Sequence, residues 1–164
     1  MMSTGSDSSG GTRGLLDAAG RARWIVCERT GCWASALRRE PESQGTRIRE
    51  TRSLAECWEM LDRFGGSFVV AELTKANLGS LLERLVRLEP DYPQARVAVV
   101  AERSLARYAD LVREAGAVWF VVSPRQLGPL AAVARRHLRQ AIALPQGIAA
   151  RIWASLPWGA GESG

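Results

Sequence analysis

The sequence predicts an α/β fold, with a five-stranded parallel sheet and helices on both of its faces. Short apolar runs alternate five times with segments of helical period. The run Arg96–Ala101 is apolar after its first residue, as expected of a strand buried on both sides of a parallel sheet. Right-handed crossovers then place helices on both faces. At 164 residues and 46% hydrophobic, the chain is long enough for one core and too short for two ordinary domains.

The first two strand–helix pairs are predicted between residues 24 and 66. Trp24–Cys27 is an apolar run of strand type, and a helical pattern follows from about Cys32 to Arg39. Residues 46–51 alternate arginine with Thr, Ile and Glu, which favours a short edge strand whose charges discourage extension of the sheet. Ser53–Glu56 matches a capping box that opens the second helix, which Gly65 and Gly66 end. Its predicted inner face carries Leu54, Trp58 and Leu61.

The third pair begins with the apolar strand Phe68–Leu73. A helix is predicted from Asn77, with leucines at helical spacing. Pro90 and Pro93 interrupt the pattern before the fourth strand at 96–101. The leucines of that helix are Leu78, Leu81, Leu82, Leu85 and Leu88.

Two more helices and one strand complete the pattern. Ser104 is predicted to cap a fourth helix, and Gly116 to stop it. The fifth strand, 118–122, leads through Ser123 and Pro124 into a last helix. The apolar face of that helix carries Leu127, Leu130, Ala134 and Leu138.

The two ends of the chain have a different composition. Residues 1–20 begin with a run of Ser, Gly and Thr and predict a flexible leader, which leaves 21–140 as the folded domain. Residues 141–164 form a tail that contains Trp153 and Trp158. That tail has two interpretations, an extra helix packed on the domain or a peptide that docks on a partner through its tryptophans.

Composition limits the classes of function. No run approaches the length of a membrane span and no signal sequence is apparent, so we expect a cytoplasmic protein that does not bind membranes. Three cysteines are too few for a secreted disulfide framework, which predicts reduced thiols. The net charge is +5, and all basic residues except Lys75 and the single histidine are arginines. A GC-rich genome explains this preference for arginine over lysine. Nucleic acid is therefore not the expected partner, although Arg135, Arg136 and Arg139 keep an arginine-rich adaptor open as an alternative.

Residues 113–124 carry a resemblance to a known family. The segment Arg-Glu-Ala-Gly-Ala at 113–117, followed by Trp119–Pro124, resembles the helix end, aromatic switch position, fifth strand and proline of bacterial response-regulator receiver domains. The resemblance covers roughly 23–140. It implies a flavodoxin-like fold with strand order 2-1-3-4-5 and contacts through the fourth helix, fifth strand and fifth helix. On this chain the implied contact surface includes Tyr108, Phe120 and Arg125.

The residues that match the family's phosphoacceptor pocket depart from its pattern. The acidic pair falls on Cys27 and Glu28, and the acceptor aspartate on Glu72. The hydroxyl position falls on Ala101, and the lysine before Pro124 on Ser123. Together these departures argue against an efficient phosphorylation cycle.

Two interpretations of Glu72 stay open. Its charge either imitates an acylphosphate or simply pairs with Lys75, Arg103 or Arg125, and we favour the pairing. Residual Mg²⁺ binding at Glu28 and Glu72, with Glu102 nearby, is the weak candidate for a metal site, and no other cofactor is expected.

We therefore expect an atypical receiver-like module that binds a protein, such as a kinase or a regulator, without catalysis. A homodimer is left open. The alternative classes are a Mg²⁺-dependent phosphoacceptor or phosphate-handling enzyme built on Glu28, Glu72 and Glu102, and the arginine-rich nucleic-acid adaptor.

Overall fold

The computed structural model describes residues 22–143. The predicted leader at 1–20 and nearly all of the predicted tail, including Trp153 and Trp158, lie outside the described residues. The folded domain is described almost over its whole predicted range.

A single parallel sheet forms the centre of the domain. Its strand order is β2-β1-β3-β4-β5, which confirms the order 2-1-3-4-5. Each neighbouring pair of strands is parallel, as the alternation of strands and helices along the chain predicts. The strands are β1 (Trp24–Cys27), β2 (Ile48–Thr51), β3 (Phe68–Leu73), β4 (Arg96–Ala101) and β5 (Trp119–Val121).

Five main helices connect and flank the strands. They are α1 (Cys32–Arg39), α2 (Leu54–Arg63), α3 (Leu78–Val86), α4 (Ala109–Glu114) and α5 (Leu127–Ala143). A separate single turn of helix follows α3, and 3₁₀ turns precede α4 and α5 and follow α1. Pro90, predicted to interrupt the pattern, lies inside the separate turn at its third position, where a helix does not yet need the missing N–H. The shorter segments are Leu88–Asp91, Pro41–Ser43, Arg103–Tyr108 and Pro124–Gln126.

Apolar side chains fill both sides of the sheet. One core cluster packs the sheet against α2, α3 and α4, and the other packs it against α1 and α5. Successive residues of β1 alternate between the two, with Ile25 and Cys27 in the first cluster and Trp24 and Val26 in the second. This burial on both faces explains why β3 and β4 are almost continuously apolar in sequence.

The predicted inner faces of the helices are largely those observed. The residues of these faces that are buried include Trp58, Leu61, Leu81, Leu85, Leu88, Leu127, Leu130, Ala134 and Leu138. Leu54, Leu78 and Leu82 pack against the core while partly exposed.

The predicted cap of the fourth helix is wrong. Glu102 leaves β4 in an extended conformation, and its carbonyl accepts the Leu105 N–H at 2.9 Å. The helical path therefore starts as a 3₁₀ turn before Ser104 can act as a cap, and Ser104 lies inside that turn. The α-helix proper begins only at Ala109.

Gly116 sets the path from α4 into β5. Its φ of 120° lies in the region that favours glycine, and its N–H donates to the Arg113 carbonyl at 3.0 Å. A Cβ atom at this position would lie 3.1 Å from the Leu85 carbonyl oxygen. Glycine is thus required both for the turn and for the close approach of the last turn of α3.

Candidate functional site

A cavity of about 300 Å³ opens at the carboxyl ends of β1 and β3. This is where the strand order reverses, the usual location of ligand sites in open α/β sheets. Its lining brings together three of the predicted pocket residues, Cys27, Glu28 and Glu72, with Arg29, Arg52 and Asn77. Ala101, Ser123 and Pro124 do not line the cavity.

Glu28 is held by the first turn of α1. Its side chain is buried, and its two carboxylate oxygens accept the N–H groups of Trp33 at 2.9 Å and Ala34 at 2.6 Å. The first N–H groups of a helix lack partners within the helix, and the residue at the N-cap, Gly31, has no side chain to supply one. Glu28 therefore serves as the cap of α1 through charge-assisted hydrogen bonds that the helix dipole also favours.

Glu72 is held by the loop between β1 and α1. One of its carboxylate oxygens accepts the Arg29 backbone N–H at 3.0 Å. The predicted pairing with Lys75, Arg103 or Arg125 is wrong, since no ion pair joins Glu72 to any of these three described residues. Because the β1–α1 loop lies beside the end of β3, the Glu72 carboxylate binds the Arg29 backbone N–H instead of a basic side chain.

Asn77 organises the loop that follows β3, and the sequence did not identify this role. Its side-chain nitrogen donates to the Glu72 carbonyl at 2.8 Å, and its side-chain oxygen accepts the Thr74 N–H at 2.8 Å. The Thr74 hydroxyl in turn accepts the Asn77 N–H at 3.2 Å. The spacing Thr-x-x-Asn directly after an apolar strand is the signal that could have revealed this turn, because both residue types bond to nearby backbone.

The edge strand β2 contributes a network of charges beside the cavity. Glu50 bridges Arg38 and Arg52, with 2.9 Å between its carboxylate and the Arg52 guanidinium. The hydrogen bond from Arg38 holds the pKa of Glu50 below its usual range. Arg52 also donates to the Glu28 carbonyl at 3.3 Å. The charged residues of β2, which predicted a protected edge strand, therefore also hold the side chain of Arg52 in place beside the cavity.

The residues at the ends of β4 and β5 have structural roles. Ala101 is fully buried beside Leu73 of β3 and offers no hydroxyl group. Ser123 accepts the Arg125 N–H at 3.4 Å and caps the 3₁₀ turn that Pro124 begins. Neither strand end delivers a hydroxyl group or a cation to the cavity lining.

Two of the three carboxylates at this edge accept hydrogen bonds from the backbone. Both oxygens of Glu28 are engaged by α1, Glu72 is engaged by Arg29, and Glu102 is exposed and does not line the cavity. No group of three His, Cys, Asp or Glu side chains within 22–143 could hold a metal ion. Residual Mg²⁺ binding at Glu28 and Glu72 stays a prediction.

The predicted interaction surface, formed by α4, β5 and α5 with the turns before them, is only partly apolar and exposed. Tyr108 is half-buried under the Arg107 guanidinium, 4.9 Å from the ring centroid. Phe120 packs against the core, and Arg125 is exposed. The exposed apolar side chains here are others, Leu111 (46%), Val118 (40%) and Trp119 (36%). Because neighbouring strand residues point to opposite faces, the choice between Trp119 and Phe120 needed the structure.

None of the helices in the described part of the chain has the length and apolar content of a membrane span.

The solved structures that this chain matches are described as response regulators or as a CheY-like protein. A response regulator from Burkholderia pseudomallei, solved with a phosphorylated aspartic acid, a calcium ion and citrate, is 19% identical with a TM-score of 0.54, over 74% of this chain and 71% of that one. An orphan response regulator of H. pylori is 18% identical with a TM-score of 0.56, over 74% and 99%. One from Thermotoga maritima is 17% identical with a TM-score of 0.53, over 72% and 98%.

These likenesses establish a receiver-like, flavodoxin-like fold, as the sequence predicted. No protein-family model matches the chain, and no curated protein matches it in sequence.

Proposed function

We propose that this chain is a receiver-like interaction module of bacterial signalling or regulation, which binds a protein partner and does not carry out a phosphorylation cycle. The observation that carries the proposal is the engagement of both Glu28 oxygens by the first turn of α1. Phosphoryl transfer depends on a cation that neutralises the transferring oxygens. A carboxylate that caps a helix from a buried position is not available to hold that cation.

The position of Glu72 supports the same conclusion. Glutamate places its carboxylate one methylene, roughly 1.5 Å, further from the backbone than aspartate, and misplacement by about 1 Å can reduce a rate a hundredfold. Its carboxylate is in addition hydrogen-bonded to Arg29. With no hydroxyl group at Ala101 and no lysine at Ser123, the groups that would respond to a phosphoryl group are missing as well.

The partner is expected on the surface formed by α4, β5 and α5. Leu111, Val118 and Trp119 are three of the four large apolar side chains that the described chain exposes, and all three lie on α4, on β5 or directly before β5. Large aromatic side chains often dominate the energy of protein interfaces. β5 is also an edge strand, so one side of its backbone stays free of sheet pairing. A sensor kinase, another regulator or a second copy of the chain is the proposed partner.

Labelling with a small-molecule phosphoryl donor tests the proposal directly. The full chain is incubated with radiolabelled acetyl phosphate, with and without Mg²⁺, and in parallel with beryllofluoride as an acylphosphate analogue. We expect no stable label and no metal-dependent binding. Tight Mg²⁺-dependent binding that Glu72→Ala abolishes and Glu102→Ala leaves intact would overturn the proposal, since Glu102 is an exposed carboxylate at the same edge.

Binding to a recovered kinase or regulator tests the surface. Trp119→Ala and Leu111→Ala are expected to weaken binding at least tenfold, as loss of a central anchor does. Val86→Ala is the control, because Val86 is more exposed at 65% but lies on α3. Equal losses in all three variants would place the interface elsewhere.

A groove lined by arginines favours a second candidate, the nucleic-acid adaptor. Two adjoining concavities of about 400 and 340 Å³ share Arg135 and Arg139 of α5. Arg136 lines one of them and Arg47 the other. None of these four side chains forms an ion pair with another described residue. Binding to DNA or RNA that falls steeply with salt and is lost in Arg135→Ala/Arg139→Ala would favour this function. No binding at low salt would exclude it.

A further inference from the structure

Two buried thiols, one of which lines the cavity, lie next to each other, and the proposed function uses neither of them. Cys27 ends β1, lines the cavity and is 5% exposed. Cys57 lies on the inner face of α2 and is fully buried. Both belong to the same core cluster and both are free thiols, and each is the strongest influence on the pKa of the other, which places the two side chains next to each other. Cys27 is thus the solvent-side member of a buried dithiol.

Thr51 completes this group. It lies directly opposite Cys27 in the register of β1 and β2. Its hydroxyl is buried and forms no hydrogen bond of normal geometry within the described residues, and it lies beside both thiols. A buried hydroxyl without another partner is costly unless the thiols satisfy it. The hydroxyl and the Cys57 thiol can both donate to the Cys27 sulfur.

The two cysteines differ in the direction in which their pKa is shifted. The adjacent Cys57 thiol, together with the Thr51 hydroxyl, holds the pKa of the Cys27 thiol below its usual value. The same contact with Cys27, together with burial, raises the pKa of the Cys57 thiol. A thiolate that is reachable from solvent reacts with oxidants, whereas a buried neutral thiol does not. Because Cys27 lines the cavity and Cys57 is fully buried, Cys27 is the reactive member and Cys57 the resolving member.

We propose that Cys27 and Cys57 form a peroxide-sensitive dithiol, in which a hydroperoxide reaches Cys27 through the cavity and Cys57 converts the product into a reversible intramolecular disulfide. The inference is independent of the proposed function. It assigns a modification site at the point where β1, β2 and α2 meet.

The chemistry balances in two steps. The Cys27 thiolate attacks one peroxide oxygen, an S–O bond forms as the O–O bond breaks, and the departing oxygen takes up a proton to leave as water or an alcohol. Cys57 then attacks the Cys27 sulfur, the S–S bond forms as the S–O bond breaks, and the hydroxide that leaves takes the Cys57 proton to become water. The two electrons lost by the thiols reduce the peroxide. A thiol reductant reverses the change.

Cys32 provides the control inside the same chain. It is exposed at the start of α1 and does not belong to the core cluster that contains Cys27 and Cys57. If exposure alone governed oxidation, Cys32 would react before the other two. If the dithiol governs it, Cys27 reacts first.

Peptide mapping after peroxide treatment tests the proposal. Cleavage at arginine places Cys27, Cys32 and Cys57 on three separate peptides, 24–29, 30–38 and 53–63. The folded full chain is treated with hydrogen peroxide, its remaining thiols are alkylated, and the peptides are analysed without reduction. We expect peptide 24–29 linked to 53–63 with the loss of two hydrogen atoms, and separation of the two by dithiothreitol. Modification of Cys32 without this link would overturn the proposal.

Variants then separate the two roles. Cys32→Ser should form the link as the wild type does, and Cys27→Ser should leave Cys57 unmodified. Cys57→Ser should stop at the sulfenic acid of Cys27, which a cyclic 1,3-dione traps. Linkage that appears only after denaturation would also overturn the proposal, and this last measurement uses the wild type, so it does not depend on whether a variant folds.

Discussion

The Arg29 backbone N–H donates a 3.0 Å hydrogen bond to the Glu72 carboxylate, and this bond ties the β1–α1 loop to the end of β3. The position that would carry a reactive aspartate in a receiver domain thus has a structural role in this chain. The same holds for Glu28 and Ser123, which cap α1 and the turn after β5. The two carboxylates that line the cavity, Glu28 and Glu72, are both bound by backbone N–H groups of the domain itself.

Removing the Glu72 side chain is expected to destabilise the domain only modestly. Hydrogen bonds to charged groups contribute about 1.5–3 kcal/mol when buried, but Glu72 is partly exposed, so we expect a loss of about 1 kcal/mol for Glu72→Ala. Glu72→Gln keeps an acceptor for Arg29 and should lose less. Urea denaturation of the two variants measures the difference, and equal losses would show that the bond to Arg29 contributes nothing.

Glu28→Ala should be far more damaging. It leaves the N–H groups of Trp33 and Ala34 buried without acceptors and removes the cap of α1, with an expected loss of about 2–4 kcal/mol. Glu28→Gln should be intermediate, because one amide oxygen remains to accept one of the two N–H groups. The matched control is Glu102→Ala, an exposed carboxylate whose removal should change the free energy of unfolding by less than about 0.5 kcal/mol.

Two glycines should respond in opposite directions to alanine. Gly116→Ala is expected to destabilise by about 1–3 kcal/mol because of its positive φ and the nearby Leu85 carbonyl. Gly79→Ala, inside α3 with nothing near the added methyl group, should stabilise by about 0.5–1 kcal/mol. Thermal unfolding of both variants checks this. A neutral Gly116→Ala would mean that the turn after α4 can be reached by another backbone path.

The single histidine predicts a pH dependence of stability. Burial lowers the pKa of His137, whose ring nitrogen lies 2.8 Å from the Gly66 carbonyl oxygen, and nearby Arg96 lowers it further. The unfolded chain therefore takes up the proton first. The stabilisation is complete above the ordinary histidine pKa of about 6.5 and is lost as pH falls through the lowered folded value. Urea denaturation above and below that range should show the loss in the wild type and a smaller one in His137→Gln. Equal losses would assign the effect to carboxylates.

Thr51 should control the rate at which Cys27 is oxidised. Thr51→Val removes the hydroxyl beside the thiols while keeping the shape of the side chain, so the pKa of Cys27 should rise and its reaction with peroxide at neutral pH should slow. Raising the pH should restore the rate, and Thr51→Ser should restore it without a change of pH. A purely structural role would give neither form of rescue. Stopped alkylation followed by mapping of peptide 24–29 measures the rate.

The strands and most helix boundaries could be predicted because burial on both sheet faces leaves a strong apolar pattern. β1, β3 and β4 begin and end where the apolar runs do. The start of the fourth helix could not be predicted, because Ser104 is a good cap by residue type while the chain direction at Glu102 decides where the turn begins. The residue types around Glu102 do not show in which direction the chain leaves β4.

Three of the six predicted pocket residues lie together as expected, but their bonding was not predicted. The resemblance placed Cys27, Glu28 and Glu72 together, and they do line one cavity. The carboxylates bind backbone N–H groups. Almost every residue has such a group, so a pattern of residue types in the sequence does not show which one a carboxylate will bind. For the same reason Asn77 and Thr51 were missed, since their importance comes from what lies beside them in space.

The capping role of Glu28 also limits how this domain could be redesigned to bind a divalent ion. Replacing Glu72 by aspartate would supply one ligand, but recruiting Glu28 as the second would strip α1 of its acceptors. A substitute cap would have to sit at Gly31, whose φ of 84° is poorly suited to any residue with a Cβ. A divalent-ion site in this domain would therefore require a redesigned N-terminus of α1, and no single substitution would suffice.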